Sequence, residues 1–193
     1  MKKIFTHNIR ECIGADRIRA GDEAFLTGII YTARDAAHKR LVEMLDLNTD
    51  SHPENPGYNL PFEIRDSVIY YAGPTPAPKI NPAGVAVGSC GPTTSKRMDI
   101  YTPKLLKAGL ACMIGKGAIS PEVREAMKEC GAVYFCAVGG AGAIYSKHIK
   151  SAKVIAFGEL GCESVKELTV EDFPVYVAID KSGNSIYDNI DNI

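Results

Sequence analysis

The sequence predicts a mixed α/β fold, and three observations carry that expectation. From residue 85 onward, apolar runs short enough to be strands alternate with longer segments of helical character. Three apolar runs end at a polar turn that bears a cation: Phe25–Ile30 before Arg34, Val85–Val87 before Lys96 and Arg97, and Leu110–Ile114 before Lys116. At 193 residues the chain has the size of one domain with a full hydrophobic core, so a single unit over 1–193 is expected.

Each element follows from its local pattern. Glu23–Thr32 reads as a strand. Arg34–Leu47 reads as an amphipathic helix with Ala37, Leu41, Met44 and Leu45 on one face and Asp35 in its first turn, where the helix dipole favours a carboxylate. Prolines and Asn-Pro-Gly make 48–61 a loop, Val68–Ala72 is a short strand, and Gly73–Pro78 is a second breaker-rich tract. Val85–Val87 reads as a strand, Thr93–Ala108 as a helix interrupted by Pro103, and Leu110–Ile114 as a strand. Ser120-Pro121 is a good helix start for a helix ending at Cys130, with serine as the cap and proline in the first position. Val133–Cys136 and Lys153–Phe157 read as strands on either side of a helical segment Ala143–Ile149. Glu163–Leu168 reads as a helix, Val175–Ile179 as a strand, and Ser182-Gly183-Asn184 as the turn of a closing hairpin into Ile186-Tyr187. Gly139-Gly140-Ala141-Gly142 lacks the G-x-G-x-x-G order of a dinucleotide fingerprint and reads as close backbone packing.

Composition narrows the function classes. The 22 basic and 23 acidic residues leave a net charge of −1 with no basic block, so nucleic acids and anionic lipid surfaces are not expected partners. No run approaches the roughly 20 apolar residues of a membrane span, and the N-terminus reaches Arg10-Glu11 before any signal-like apolar stretch, so a soluble cytoplasmic protein is expected. The six cysteines, at positions 12, 90, 112, 130, 136 and 162, lack the clustered spacing of a zinc or iron–sulfur site and read as reduced, mostly buried thiols.

The chemistry concentrates in Gly91-Pro92-Thr93-Thr94-Ser95-Lys96-Arg97. A turn, three hydroxyls and two cations follow an apolar run, and if Thr93 caps a helix, N–H groups, hydroxyls and the Arg97 guanidinium converge on a volume suited to an anion. In α/β proteins ligands gather at the strand ends where Arg34 and Lys116 also fall. An anion-binding module that uses Thr93, Thr94 and Arg97 without chemistry is the alternative from another class. His7, His52 and His148 show no metal-ligand spacing, and the tyrosines, Tyr134 among them, read as packing residues.

Tyr31-Thr32-Ala33-Arg34-Asp35-Ala36-Ala37-His38, Gly91 to Asp99, Ile114-Gly115-Lys116-Gly117 and Gly158-Glu159-Leu160-Gly161, in this order, closely resemble the β subunit of class I fumarate hydratases and L-tartrate dehydratases. The resemblance covers nearly the whole chain. It implies a swivelling β/β/α domain, a barrel-like mixed sheet flanked by helices. It also implies an α subunit that carries a [4Fe–4S] cluster, a heterodimer or heterotetramer, and a dicarboxylate site between the subunits, with no cluster ligand on this chain. By the same resemblance Thr93 matches a catalytic base, and Arg34, Arg97 and Lys116 match groups that hold substrate carboxylates. Thr94 and Ser95 stand as carboxylate binders or caps. Asp35 and His38 share a helix face as supporting residues at i and i+3, Asp35 orienting Arg34 or capping the helix. Glu159 faces either the site or the subunit interface. Fumarate and (S)-malate are the expected substrate pair, with L-tartrate as the alternative within the same chemistry.

Overall fold

A computed structural model describes residues 2–14, 17–51, 59–80 and 84–188. Its strands are β1 (Lys2–Phe5), β2 (Glu23–Thr32), β3 (Val68–Tyr70), β4 (Cys112–Gly115), β5 (Val133–Cys136), β6 (Ile149–Ala156) and β7 (Val165–Ile179). The helices are α1 (Ile9–Ile13), α2 (Asp35–Ser51), α3 (Thr102–Lys107), α4 (Pro121–Cys130) and α5 (Gly142–Tyr145).

The sheet is mixed and closes on itself. β2, β3, β4 and β5 run parallel in that order, and the long β7 pairs antiparallel with both β5 and β2, which completes a five-stranded barrel. β1 adds to the first half of β2, and β6 to the first half of β7. This is the barrel-like mixed sheet flanked by helices that the resemblance implies.

Side-chain alternation sorts the core into two layers. Leu26, Ile30, Tyr70, Ile114, Phe135, Leu168, Phe173 and Val177 fill the barrel interior. Their sequence neighbours Ile69, Met113, Tyr134 and Ala178 face outward and pack beneath Leu41 of α2, Leu105 of α3 and Met127 of α4. β3 and β4 are therefore buried on both faces, which is why they read as unbroken apolar runs. Ser120 caps α4 as expected, its Oγ accepting from the Val123 N–H, with Pro121 behind it and Gly131 in the left-handed conformation at the far end.

Several expectations are corrected. Glu163–Leu168 is not a helix: β7 begins at Val165. The Val165/Leu168 spacing imitates a helical face, but the edge of β2 offers ladder partners from Thr32↔Lys166 onward, and that pairing decides. Pro174 is tolerated inside β7 because 171–175 lie between the stretches of its outer edge taken by β6 and β5. Val85–Val87 is not a strand. Val87 and Cys90 instead close one end of the barrel, where the Tyr70 hydroxyl donates to the Cys90 carbonyl at 2.7 Å. Thr93–Ala108 is not one helix: a 3-10 turn covers Ser95–Met98, and α3 starts at Thr102 with Pro103 in its first turn, where a missing N–H costs nothing. α2 runs on to Ser51, and residues 52–58 of the expected loop lie outside the described residues. The final turn forms through Asp180, and among the described residues a single antiparallel bridge, Ile179–Ser185, follows it. The pair β1 and α1 had no sequence expectation.

Candidate active site at the strand ends

The parallel strands β2, β3 and β4 present their C-terminal ends on one side of the barrel, and the candidate residues follow those ends. Arg34 and Asp35 come just after β2 at the start of α2. The segment Gly91–Ser95 is threaded between the ends of β3 and β4. Pro92 bridges Ala72, the Thr93 N–H donates to the Tyr71 carbonyl at 2.7 Å, and Thr94 forms a parallel bridge with Lys116. Thr93 therefore caps no helix and its N–H is already used. The anion site expected at a capped helix N-terminus gives way to an extended rung that carries the threonine hydroxyls along the strand ends.

A chain of polar contacts joins most of the candidates. Arg97 donates from Nε to Asp35 Oδ1 at 2.8 Å and from Nη1 to Thr93 Oγ1 at 3.5 Å. Arg34 Nη2 lies 3.3 Å from Glu163 Oε1, and Arg34 Nε lies 3.9 Å from Asp35 Oδ2. Both of those last atoms are buried without a hydrogen-bond partner, an arrangement native interiors avoid unless a ligand or water completes it. The Arg34 stem crosses Gly73, where an added Cβ would come within 3.1 Å of Cδ and Nη1, so a side chain there would press on the arginine.

His38 sits beneath this group, fully buried, one turn into α2. Its Nδ1 pairs with the Arg34 carbonyl at 3.1 Å, its ring meets Tyr71 edge-on at 5.0 Å, and Nε2 has no partner. Burial pushes its pKa down from the usual 6.5 to about 4, so the ring is neutral near pH 7 and supports the backbone that carries Arg34.

Glu159 is not part of the group. Its carboxylate pairs with Arg40 on α2, which holds its pKa below the usual glutamate value, and Arg40 stacks over the Phe157 ring at 5.1 Å. Ser95 is fully buried, so its hydroxyl serves neither as a carboxylate binder nor as a cap. Sequence reasoning missed Glu163, which accepts from the Ala36 N–H at 3.2 Å and thereby binds both Arg34 and the first turn of α2. Read as the start of a helix, it gave no signal. Correctly reading β7 as a strand would have placed it at the strand's entry, beside the end of β2.

The resemblance implies a [4Fe–4S] cluster, and the residues of this chain do not fit one. Among the described residues no three His, Cys, Asp or Glu side chains converge as ligands. All six cysteines are free thiols; Cys90 and Cys112 are buried with their pKa pushed up to about 12, Cys12, Cys130 and Cys136 are half-buried, and Cys162 is exposed. No described helix is long and apolar enough to cross a membrane.

The family model described as fumarase C-terminus matches residues 4–190. A Methanocaldococcus jannaschii protein provisionally named L(+)-tartrate dehydratase subunit beta is 39% identical over 178 residues, which cover 90% of this chain and 86% of that protein. The aerobic class I fumarate hydratase of Escherichia coli K12 is 38% identical over 167 residues, 86% of this chain and 28% of its own length. Fumarate hydratase 2 of Leishmania major is 39% identical over 169 residues with the same two coverages. The chain thus spans little more than a quarter of the fumarate hydratases it matches.

Proposed function

The chain belongs to the fumarase C-terminus family, and from that premise we propose that it is the β subunit of a hydro-lyase that interconverts fumarate and (S)-malate. The observation that carries this reading is the linked group Arg34, Asp35, Thr93 and Arg97 at the strand ends, with Lys116 on the neighbouring rung. Arg34 pairs with Glu163 and Arg97 with Asp35, and Lys116 on the rung beside Thr94 adds a third cation, so the strand ends carry excess positive charge before a dicarboxylate enters.

Each residue has a task within that reaction. Arg34 and Arg97 are each held by a carboxylate on one side, which fixes the plane of the guanidinium and leaves the remaining N–H groups for bidentate carboxylate binding. Lys116 supplies a compact charge for the second carboxylate. Thr93 removes the proton from the carbon beside that carboxylate. An alcohol is a weak base, so Thr93 acts as an alkoxide whose hydroxyl proton has passed to a carboxylate or histidine supplied by the α subunit, and the Arg97 N–H directed at Thr93 Oγ1 stabilises that alkoxide. Negative charge grows on the substrate as the proton leaves, so fixed cations favour the transition state over the ground state. The cluster, which would assist departure of the hydroxyl, is assigned to a partner α subunit, because this chain's residues do not suit it. A partner is supported by the subunit name of the archaeal relative.

That same relative, matched over most of its length, favours a second substrate reading, dehydration of L-tartrate. The test is anaerobic hydration of fumarate, and dehydration of L-tartrate, by the chain co-produced with its α subunit. Thr93→Ala should lower kcat by roughly 100- to 10,000-fold with KM little changed, the loss expected for a general base. Full activity in Thr93→Ala would refute the assignment of the base. No activity on either diacid by the cluster-loaded complex would leave an anion-binding module.

A further inference from the structure

The turn that carries Lys116 is held by two fully buried hydroxyl side chains that the reading above leaves unused. Ser95 Oγ accepts from the Lys116 N–H at 3.0 Å, while the Ser95 N–H donates to the Lys116 carbonyl at 2.9 Å. Ser95 Oγ and Tyr134 Oη are 2.8 Å apart, and Tyr134 Oη donates to the Gly117 carbonyl at 2.8 Å. One set of proton positions satisfies every contact: the phenol donates to Gly117, the serine hydroxyl donates to the phenol oxygen, and the Lys116 amide donates to the serine. Both side chains have no exposed surface, and burial raises the phenol pKa, so the phenol remains a donor throughout the neutral range.

We propose that Tyr134, acting through Ser95, is a positioning residue that sets where the Lys116 ammonium stands over the substrate. The inference rests on the reading of Lys116 as a carboxylate-binding cation. A buried tyrosine on the outer face of a strand needs some acceptor for its hydroxyl, and any loop carbonyl would suffice. Here both partners of the phenol lead to the same turn, one through Gly117 and the other through the amide of Lys116, so the main chain on either side of the Lys116 side chain is fixed from below. The stem also has a neighbour on its other side. Lys116 lies across Gly139, where an added Cβ would meet Cδ at 2.9 Å and Nζ at 3.7 Å. A flexible lysine held at its root starts from a defined position, so less freedom is lost when the ligand arrives and the charge is better placed to favour a transition state.

The test is a double-mutant cycle in the co-produced complex with Tyr134→Phe, Lys116→Met and the pair, following kcat and KM for the diacid it turns over, with melting temperatures as the check on folding. Tyr134→Phe is expected to lower kcat/KM about five- to thirtyfold, the loss of a buried hydrogen bond transmitted to a charge. In the Lys116→Met background the same change should cost less than about twofold, since its effect passes through the missing ammonium. Ser95→Ala, which removes the acceptor of the Lys116 amide, should repeat the pattern and serves if Tyr134→Phe does not assemble. An equal cost of Tyr134→Phe with and without Lys116 would overturn the inference alone, as would failure of both hydroxyl variants to assemble, because the network would then serve the fold. If Lys116→Met by itself left kcat/KM unchanged, the reading of Lys116 as a substrate cation would fall, and the inference with it.

Discussion

Replacing Arg10 by methionine is expected to cost the domain about 3 kcal/mol without touching the strand-end group. Arg10 sits on α1, at the opposite side of the barrel. Its Nη1 donates to the Cys130 and Gly131 carbonyls at 2.9 and 3.1 Å, its Nη2 to the Gly109 carbonyl at 3.0 Å, and its Nε to Asp66 at 2.7 Å. Cys130 and Gly131 end α4 and Gly109 follows the end of α3, so one guanidinium satisfies carbonyls that have no partner within their helices and sits where the helix dipole favours a cation. Each part-buried bond from a charged donor contributes about 1 kcal/mol after the exchange with water, giving about 3 kcal/mol for the three carbonyls. The Asp66 pair, half-exposed, adds less than about 1 kcal/mol, which the methionine stem roughly offsets. With a urea dependence of about 2–3 kcal/mol per molar, the unfolding midpoint should fall by about 1–1.5 M. Arg10→Lys should recover less than half of this, because an ammonium cannot fork to two helix ends at once. A midpoint shift below about 0.3 M for Arg10→Met, or complete rescue by lysine, would refute the assignment of the guanidinium as the clamp between the helix ends.

Two further outcomes follow from buried titrating groups. His38 has its pKa lowered to about 4, so between pH 6.5 and 4 the unfolded chain takes up a proton that the folded chain refuses, and stability should fall as pH drops through that window by up to about 3 kcal/mol. His38→Asn should flatten that part of the urea-midpoint profile, whereas an unchanged slope would show that carboxylates alone cause the acid loss. Burial holds the Cys90 and Cys112 thiols at about 12, while Cys162 is exposed, so alkylation at pH 8 should label Cys162 first and reach Cys90 and Cys112 only on unfolding. Early labelling of Cys112, read by mass spectrometry of peptides, would mean that the barrel interior opens locally.

How far the candidate site was legible depended on whether a residue advertises itself by its own chemistry. Arg34, Arg97 and Lys116 could be picked out because each is a cation just past an apolar run, and a strand end is where such a residue reaches a ligand. Glu163 carried no such mark, since its partners, Arg34 and the Ala36 N–H, are more than a hundred residues away in sequence. Ser95 and Thr93 were misplaced for one reason. A Thr-Thr-Ser run before a basic, apolar-spaced segment is the composition of a helix cap, and only the pairing partners just beyond the ends of β3 and β4 make it an extended rung instead.

The sequence by itself determined the α/β alternation, the cap of α4 at Ser120 and its end at Cys130, and the inner strands as short apolar runs, because these follow from side-chain period and from backbone preferences that act over a few residues. Tertiary structure alone decided that 163–168 leads into β7, that β7 closes the barrel by pairing with both β2 and β5, and that the Val87–Cys90 segment covers its end. It also decided that Arg34, Asp35, Thr93, Arg97 and Glu163 meet. The physical reason is that ladder pairing and the satisfaction of buried polar groups are settled between residues far apart along the chain, where the gain from completing a barrel edge outweighs local propensities worth a few tenths of a kcal/mol per residue.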